Sequence, residues 1–210
     1  MVRLRFLYRV CGPLRYVSHL EQMKVWERAM RRAGLPLAYT GGFTPRPRLQ
    51  VAAPLPVGFA SEGELMDAWM EQPVAPEEVL KALTRTLPEG LEILEVREAD
   101  LGEPSLPVQV EAAEYEVRVE TAVPEGELRK RLEELLSSTA LPRERRGRSY
   151  DLRPLIRALN LEDASDGWAT LRMTLSLGER ATGRPEEVVD ALGLGGAFFQ
   201  VTRRRLLLKG

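Results

Sequence analysis

Cysteine and histidine are almost absent from this chain: its 210 residues hold one of each, Cys11 and His19. One cysteine excludes an internal disulfide and cannot supply the ligands of an iron–sulfur cluster, and one histidine beside it forms none of the His/Cys groupings a zinc site needs. No metal site is expected. No apolar run approaches the ~18 residues that mark a membrane span, and the amino-terminal stretch alternates arginine with apolar residues, so neither a span nor a signal peptide is expected. These absences read as a cytoplasmic protein without a membrane partner. The length suits one large domain or two small ones, each with its own core.

What is present is charge, unevenly placed. The net charge of -1 conceals a segregation: residues 1–60 carry ten Lys and Arg against two Asp and Glu, residues 61–140 carry seven against twenty, and residues 141–210 carry thirteen against nine. Such asymmetry fits a basic surface for an anionic partner, although charges apart in sequence can also mix in space. Val2, Leu4, Phe6, Tyr8 and Val10 alternate with Arg3, Arg5, Leu7 and Arg9, the period of a half-buried strand. Its arginine face is either solvated or laid against an anionic ligand. Ser18 and Glu21 form a capping box that opens a helix from His19 to about Ala33, ended by Gly34. Met23, Trp26, Ala29 and Met30 share its apolar stripe with His19; Lys24, Arg28, Arg31 and Arg32 lie on another face. Lys24, Arg28 and Arg32 stand at i, i+4 and i+8, where like charges repel by roughly a few tenths of a kcal/mol per pair unless an anion relieves them. Phe43 to Arg48 then sets Arg46 and Arg48 between prolines that stiffen the loop.

Further on, residues 49–57 read as an interrupted edge strand, 58–63 as a loop, 64–71 as a strand, 76–87 as a helix and 91–98 as a strand. Residues 100–108 have the Gly and Pro content of a linker. A strand (113–121), a helix (124–138), a basic excursion (143–157), a strand (168–177), a helix (185–192) and a last strand (198–208) follow. The expected class is α+β, as two tandem ferredoxin-like (split βαβ) halves with antiparallel sheets, at 1–103 and 109–210. Arg145, Arg146 and Arg148 beside Tyr150 make a mixture suited to phosphates and a stacked base, or simply an arginine-rich surface loop. Arg203, Arg204 and Arg205 sit in the final strand, where an acidic partner explains them better than a ligand.

Ser18-His19-Leu20-Glu21, Arg31-Arg32-Ala33-Gly34-Leu35-Pro36, Gly42-Phe43-Thr44-Pro45-Arg46-Pro47, Pro54-Leu55-Pro56-Val57-Gly58 with Ser61, Glu62 and Asp67, and Tyr150-Asp151-Leu152-Arg153-Pro154-Leu155-Ile156 together resemble the radical SAM-linked family of bacterial proteins, a family of unknown function. The resemblance implies a radical SAM enzyme as partner. This chain would bind no cofactor itself, and S-adenosylmethionine and an iron–sulfur cluster would belong to that partner. The expected function is a non-catalytic accessory that binds RNA, tRNA or rRNA, through a basic groove of Arg3, Arg5, Arg9, Lys24, Arg28, Arg31, Arg32, Arg46, Arg48, Arg145, Arg146 and Arg148. Ser18, Phe43, Ser61, Glu62 and Asp67 are expected to line a pocket there. Two alternatives stand beside it: a scaffold that docks the enzyme without nucleic acid, and an RNA-processing or RNA-modifying enzyme that uses His19 as general acid or base.

Overall fold

The computed structural model describes residues 1–145, 147–178 and 182–209. They form two compact units, Met1–Val110 and Glu111–Gly210, of mixed α+β structure with antiparallel strand pairing.

In the first unit, strand β1 (Val2–Val10) leads through a 3-10 turn (Gly12–Tyr16) into helix α1 (His19–Arg32). A short strand β2 (Leu49–Val51), a long strand β3 (Ala60–Met70), helix α2 (Pro76–Thr84), strand β4 (Leu91–Ala99) and a single helical turn α3 (Leu106–Gln109) follow. The sheet runs β4-β1-β3, and β2 pairs with β3. The alternation in β1 sets its register: Leu4 faces Ala68, Phe6 faces Met66 and Tyr8 faces Glu64. Leu4 and Phe6 are completely buried, as are Trp26 and Met30 of α1 and Val79 and Leu83 of α2. The Trp26 ring meets Tyr8 edge-on at 5.0 Å and Phe6 at 5.9 Å, which locks α1 onto the sheet. Burying a side chain such as Phe6 contributes about 1.5–3 kcal/mol.

The opposite face of β1 departs from expectation. Arg3 and Arg5 are only 3% exposed, and Asp67, directly across from Arg5 on β3, is fully buried between them. Arg3 Nε donates to Asp67 Oδ2 at 2.7 Å, and Arg5 Nε donates to Oδ1 at 2.8 Å. The remaining Arg3 donors bond the carbonyls of Asp100, Glu103 and Pro104 at 3.0–3.2 Å, and Arg5 Nη1 lies 3.1 Å from the Glu103 carboxylate. These two arginines are therefore not part of a ligand-binding face, because their charge is met internally. The stretch expected as a linker is instead the cover of that face, held by Arg3. β3 also starts earlier than its polar sequence indicates. Buried Ser61 donates to buried Glu64 at 2.5 Å and accepts from the Gly63 amide at 3.2 Å, so these polar groups enter the sheet already satisfied.

The second unit contains β5 (Val110–Glu120), α4 (Glu125–Ser137), a hairpin of β6 (Pro142–Arg145) and β7 (Arg148–Asp151), β8 (Ile156–Ser165), β9 (Trp168–Ser176), α5 (Pro185–Ala191) and β10 (Phe199–Leu208). Strand order is β10-β5-β9-β8. β8 has no counterpart in the sequence reading, because register shifts at Ile156/Ala158 and Leu161/Asp163 break its alternation. Tyr115, Val117, Leu128, Leu135, Leu171, Met173 and Val188 fill the core. Outside it, Arg205 pairs with Glu114 at 2.6 Å and Arg172 bridges Glu116 and Glu162, the acidic partnership expected for the last strand. Arg153 donates twice to the Leu136 carbonyl at the end of α4, at 2.8 and 3.0 Å, while Asp151 accepts from the amides of Leu141 and Arg153. The Tyr150–Ile156 motif is thus a clamp between α4 and the hairpin.

Replacing Asp67 by Asn keeps the shape but leaves two buried guanidiniums without their shared carboxylate, a loss of about 3–5 kcal/mol. Urea unfolding of Asp67→Asn should show it as a lowered midpoint; a loss below about 1 kcal/mol would mean that Glu103 and the loop carbonyls hold the arginines unaided, since only a broken buried pair costs the larger amount.

Candidate nucleic-acid interface

α1 begins where Ser18 Oγ accepts from the Glu21 amide at 3.4 Å. The Glu21 carboxylate does not reach back as a capping box requires. It takes Lys24 Nζ at 2.6 Å, and that bond, with the charges of Lys24 and the more distant Arg28, holds the Glu21 carboxyl below its ordinary range. Arg31 lies 3.6 Å from Glu27. Arg28 and Arg32 are exposed on the same helix and form no ion pair within 4.0 Å among the described residues, although Arg28 acts on Glu21 from further off.

Opposite this helix the chain pinches into a loop. Thr40 N donates to the Arg46 carbonyl at 2.8 Å and Arg46 N to Thr40 Oγ1 at 3.0 Å, next to a bridge between Tyr39 and Pro47. Gly42 turns the tip at φ 107, in the left-handed half of backbone space that favours glycine. The result holds Phe43 wholly in solvent and leaves Tyr39 exposed beside it. Arg46 has no ion-pair partner among the described residues, whereas Arg48 lies over the Trp69 ring at 4.9 Å. Between α1 and this loop runs a groove of about 560 Å³, with Leu20, Glu21, Met23, Lys24 and Glu27 on one wall and Arg46, Pro47 and Leu49 on the other, so that its own lining mixes both signs of charge. Met23 and Leu49 also border a second hollow of about 310 Å³, lined by His19, Gln50, Val51, Pro54 and Pro107.

The groove therefore gathers Lys24 and Arg46, with Arg28 and Arg32 further along the helix and Phe43 at the loop tip. The other expected members lie elsewhere. Arg3 and Arg5 are buried, and Arg9 pairs with Glu92 at 3.2 Å. Ser18 is a helix cap, Glu62 is exposed, and Ser61 and Asp67 are buried in separate polar clusters. With Phe43 they do not form a pocket, because Ser61 and Asp67 are taken up by buried hydrogen bonds of their own. In the hairpin, Arg143 and Arg145 face Glu187 and Asp190 of α5; burial pushes the Glu187 carboxyl up against the opposing pull of the two arginines. Arg148 is exposed, and Arg146 lies outside the described residues.

His19 is half-buried, and burial pushes its imidazole below the ordinary 6.5. No hydrogen bond joins it to another described residue. A neutral imidazole without a partner to orient or polarise it forms a wall of the hollow and lacks the paired group that general acid–base work uses. Gln50 and Pro107, beside it, carried no signal in the sequence. Among the described residues no three His, Cys, Asp or Glu are grouped so that they could hold a metal ion, and no helix is long and apolar enough to cross a membrane.

Burial of His19 also makes stability depend on pH. Below about pH 6.5 the unfolded chain binds a proton that the folded chain resists, so stability present above that pH is lost as pH falls toward the folded-state value. His19→Gln should flatten the slope of unfolding free energy as pH falls below about 6.5; an unchanged slope would place the imidazole in open water.

The chain belongs to a bacterial family described as "Uncharacterized protein conserved in bacteria (DUF2344)", whose model matches residues 3–185. No curated protein matches it. Among solved structures it is similar to a Cbf5-Nop10-Gar1 complex, with a TM-score of 0.54 and 13% identity over 98% of this chain and 49% of that one. It is also similar to an H/ACA RNP bound to a substrate RNA containing 2'-deoxyuridine (TM-score 0.51, 12% identity, 98% and 47%) and to an archaeal box H/ACA sRNP Nop10-Cbf5 complex (0.52, 12%, 98% and 48%). At these identities the likeness is one of fold. This chain spans about half the length of those it matches.

Proposed function

We propose that this protein binds RNA through the first unit, along the ridge of Lys24, Arg28 and Arg32 and the Thr40–Arg46 loop. The observation that carries the reading is the pair Arg28 and Arg32, exposed and outside any close ion pair, on the helix that walls a groove shared with Arg46. Unpaired cations on one helix repel each other, and phosphates relieve that repulsion while releasing counterions. Phe43 adds what a charged ridge lacks: an aromatic face in solvent beside the cations, the platform on which a single-stranded base stacks. The structural neighbours support the reading by fold alone, one of them being bound to a substrate RNA.

Each unit runs strand-helix-strand-strand-helix-strand, the hairpin and α3 aside, and the sheet orders β4-β1-β3-β2 and β10-β5-β9-β8 place the four strands in the same relation. This supports the finer reading of two ferredoxin-like halves. With His19 unpartnered, the protein acts as an accessory and the chemistry belongs to a partner enzyme. That the partner is a radical SAM enzyme rests on the sequence resemblance.

Fluorescence anisotropy with labelled single-stranded RNA tests the binding. Affinity should fall steeply with salt, and Arg28→Ala with Arg32→Ala should reduce the log–log salt slope by about 1.4, or about 0.7 for each phosphate no longer neutralised. Phe43→Ala should cost about 1–3 kcal/mol of affinity with the slope unchanged. Absence of binding at low salt, or a slope indifferent to the double substitution, would remove the proposal.

A further inference from the structure

Resting on that reading, we propose that the hollow beside His19 is a slot for one splayed-out RNA base, with adenine its preferred occupant. The hollow opens off the groove beneath the cationic ridge, since Met23 and Leu49 border both. A strand whose phosphates follow Lys24, Arg28 and Arg46 therefore passes its mouth. At about 310 Å³ it lies at the low end of ligand sites, the size for one base rather than a run of nucleotides. Its walls are largely apolar, from Met23, Val51, Pro54 and Pro107, and cover the faces of a flat ring without competing for its hydrogen bonds.

Two polar groups interrupt those walls, His19 and Gln50. Gln50 Oε1 is buried and has no hydrogen-bond partner. Its register partner across the strand pair, Asp67, carries a carboxylate, which accepts and has no hydrogen to give it. A buried acceptor left unmade is costly, and an N–H donor in the hollow relieves it once the Gln50 amide turns toward that donor. A glutamine amide pairs with adenine in bidentate fashion, accepting from N6–H and donating to N7. The purine bicycle also covers more of the apolar wall than a pyrimidine does. The neutral His19 ring at the side adds a flat surface and no net charge, consistent with an uncharged base inside and phosphates outside.

The test compares short labelled homopolymers of adenylate, uridylate and cytidylate by anisotropy against the full chain. The wild type should bind the adenylate strand tighter by on the order of tenfold, the scale of one bidentate base contact. Gln50→Leu should bring the adenylate strand down to the uridylate level while leaving uridylate binding unchanged. Val51→Phe, which narrows the hollow from a wall that the groove does not share, should do the same, and guards against a Gln50 variant that fails to fold. Equal affinity of the wild type for all strands, or a preference that survives both substitutions, would overturn the slot and leave the ridge intact. No binding to any strand would overturn the slot together with the RNA reading.

Discussion

The first unit is built around one carboxylate. Asp67 stands in the interior of the long strand β3, wholly buried, and takes hydrogen bonds from two guanidiniums. A lone charge in that position is prohibitive, and a single pair seldom recovers its desolvation. Here the balance closes because each arginine has further acceptors: Arg3 the carbonyls of Asp100, Glu103 and Pro104, and Arg5 the Glu103 carboxylate. The network therefore does two jobs. It fixes the register of β1 against β3, since a slip of one residue would carry Asp67 to the apolar face. It also folds the segment after β4 back across the sheet, so that Leu106 is completely buried and Pro107 lines the hollow at the edge of β2.

The remaining face of the sheet is apolar and holds α1 through Trp26. With one side of α1 committed to this contact, its row of cations must face away, and the pinched loop between α1 and β2 supplies the opposing wall. The groove is therefore a by-product of two independent constraints, a polar lock on one side of the sheet and an aromatic lock on the other. This separation explains why the ridge can be substituted without touching the fold: Arg28 and Arg32 contribute repulsion, not cohesion.

How much of this was legible in the sequence depends on how local the cause is. The alternation of β1 and the cap of α1 are local, and both stand where the residues put them. Which arginines would be free is not local. Period two sends Arg3 and Arg5 to one face, but what lies on that face comes from residues 100–104, about as far along the chain as the unit allows. The partner choice of Glu21 failed more subtly, because Lys24 one turn on is a charged competitor for a carboxylate that could otherwise cap the helix. β8 was hidden because two register shifts erase its period, and the start of β3 because Ser61 and Glu64 satisfy each other. The stretch around His19 and Arg46 could be found by its composition. Gln50 could not, since a glutamine between Leu49 and Val51 looks like any solvent-facing position of an edge strand.

Counting arginines overstates a binding surface; the better measure is how many of them lack a carboxylate. In the first sixty residues the excess of positive charge is large, yet two arginines go to Asp67, Arg9 goes to Glu92, Lys24 to Glu21 and Arg31 to Glu27. Arg28, Arg32 and Arg46 are what remains exposed and outside any ion pair among the described residues, with Arg15 over the Tyr16 ring and Arg48 over Trp69. The three are exposed, so their field is screened within about 8–10 Å at physiological salt. Three such charges alone give weak and indiscriminate attraction. Selectivity has to come from uncharged features within reach of that short-range field, and Phe43 on the loop tip and the hollow beneath Met23 are the two that the fold places there.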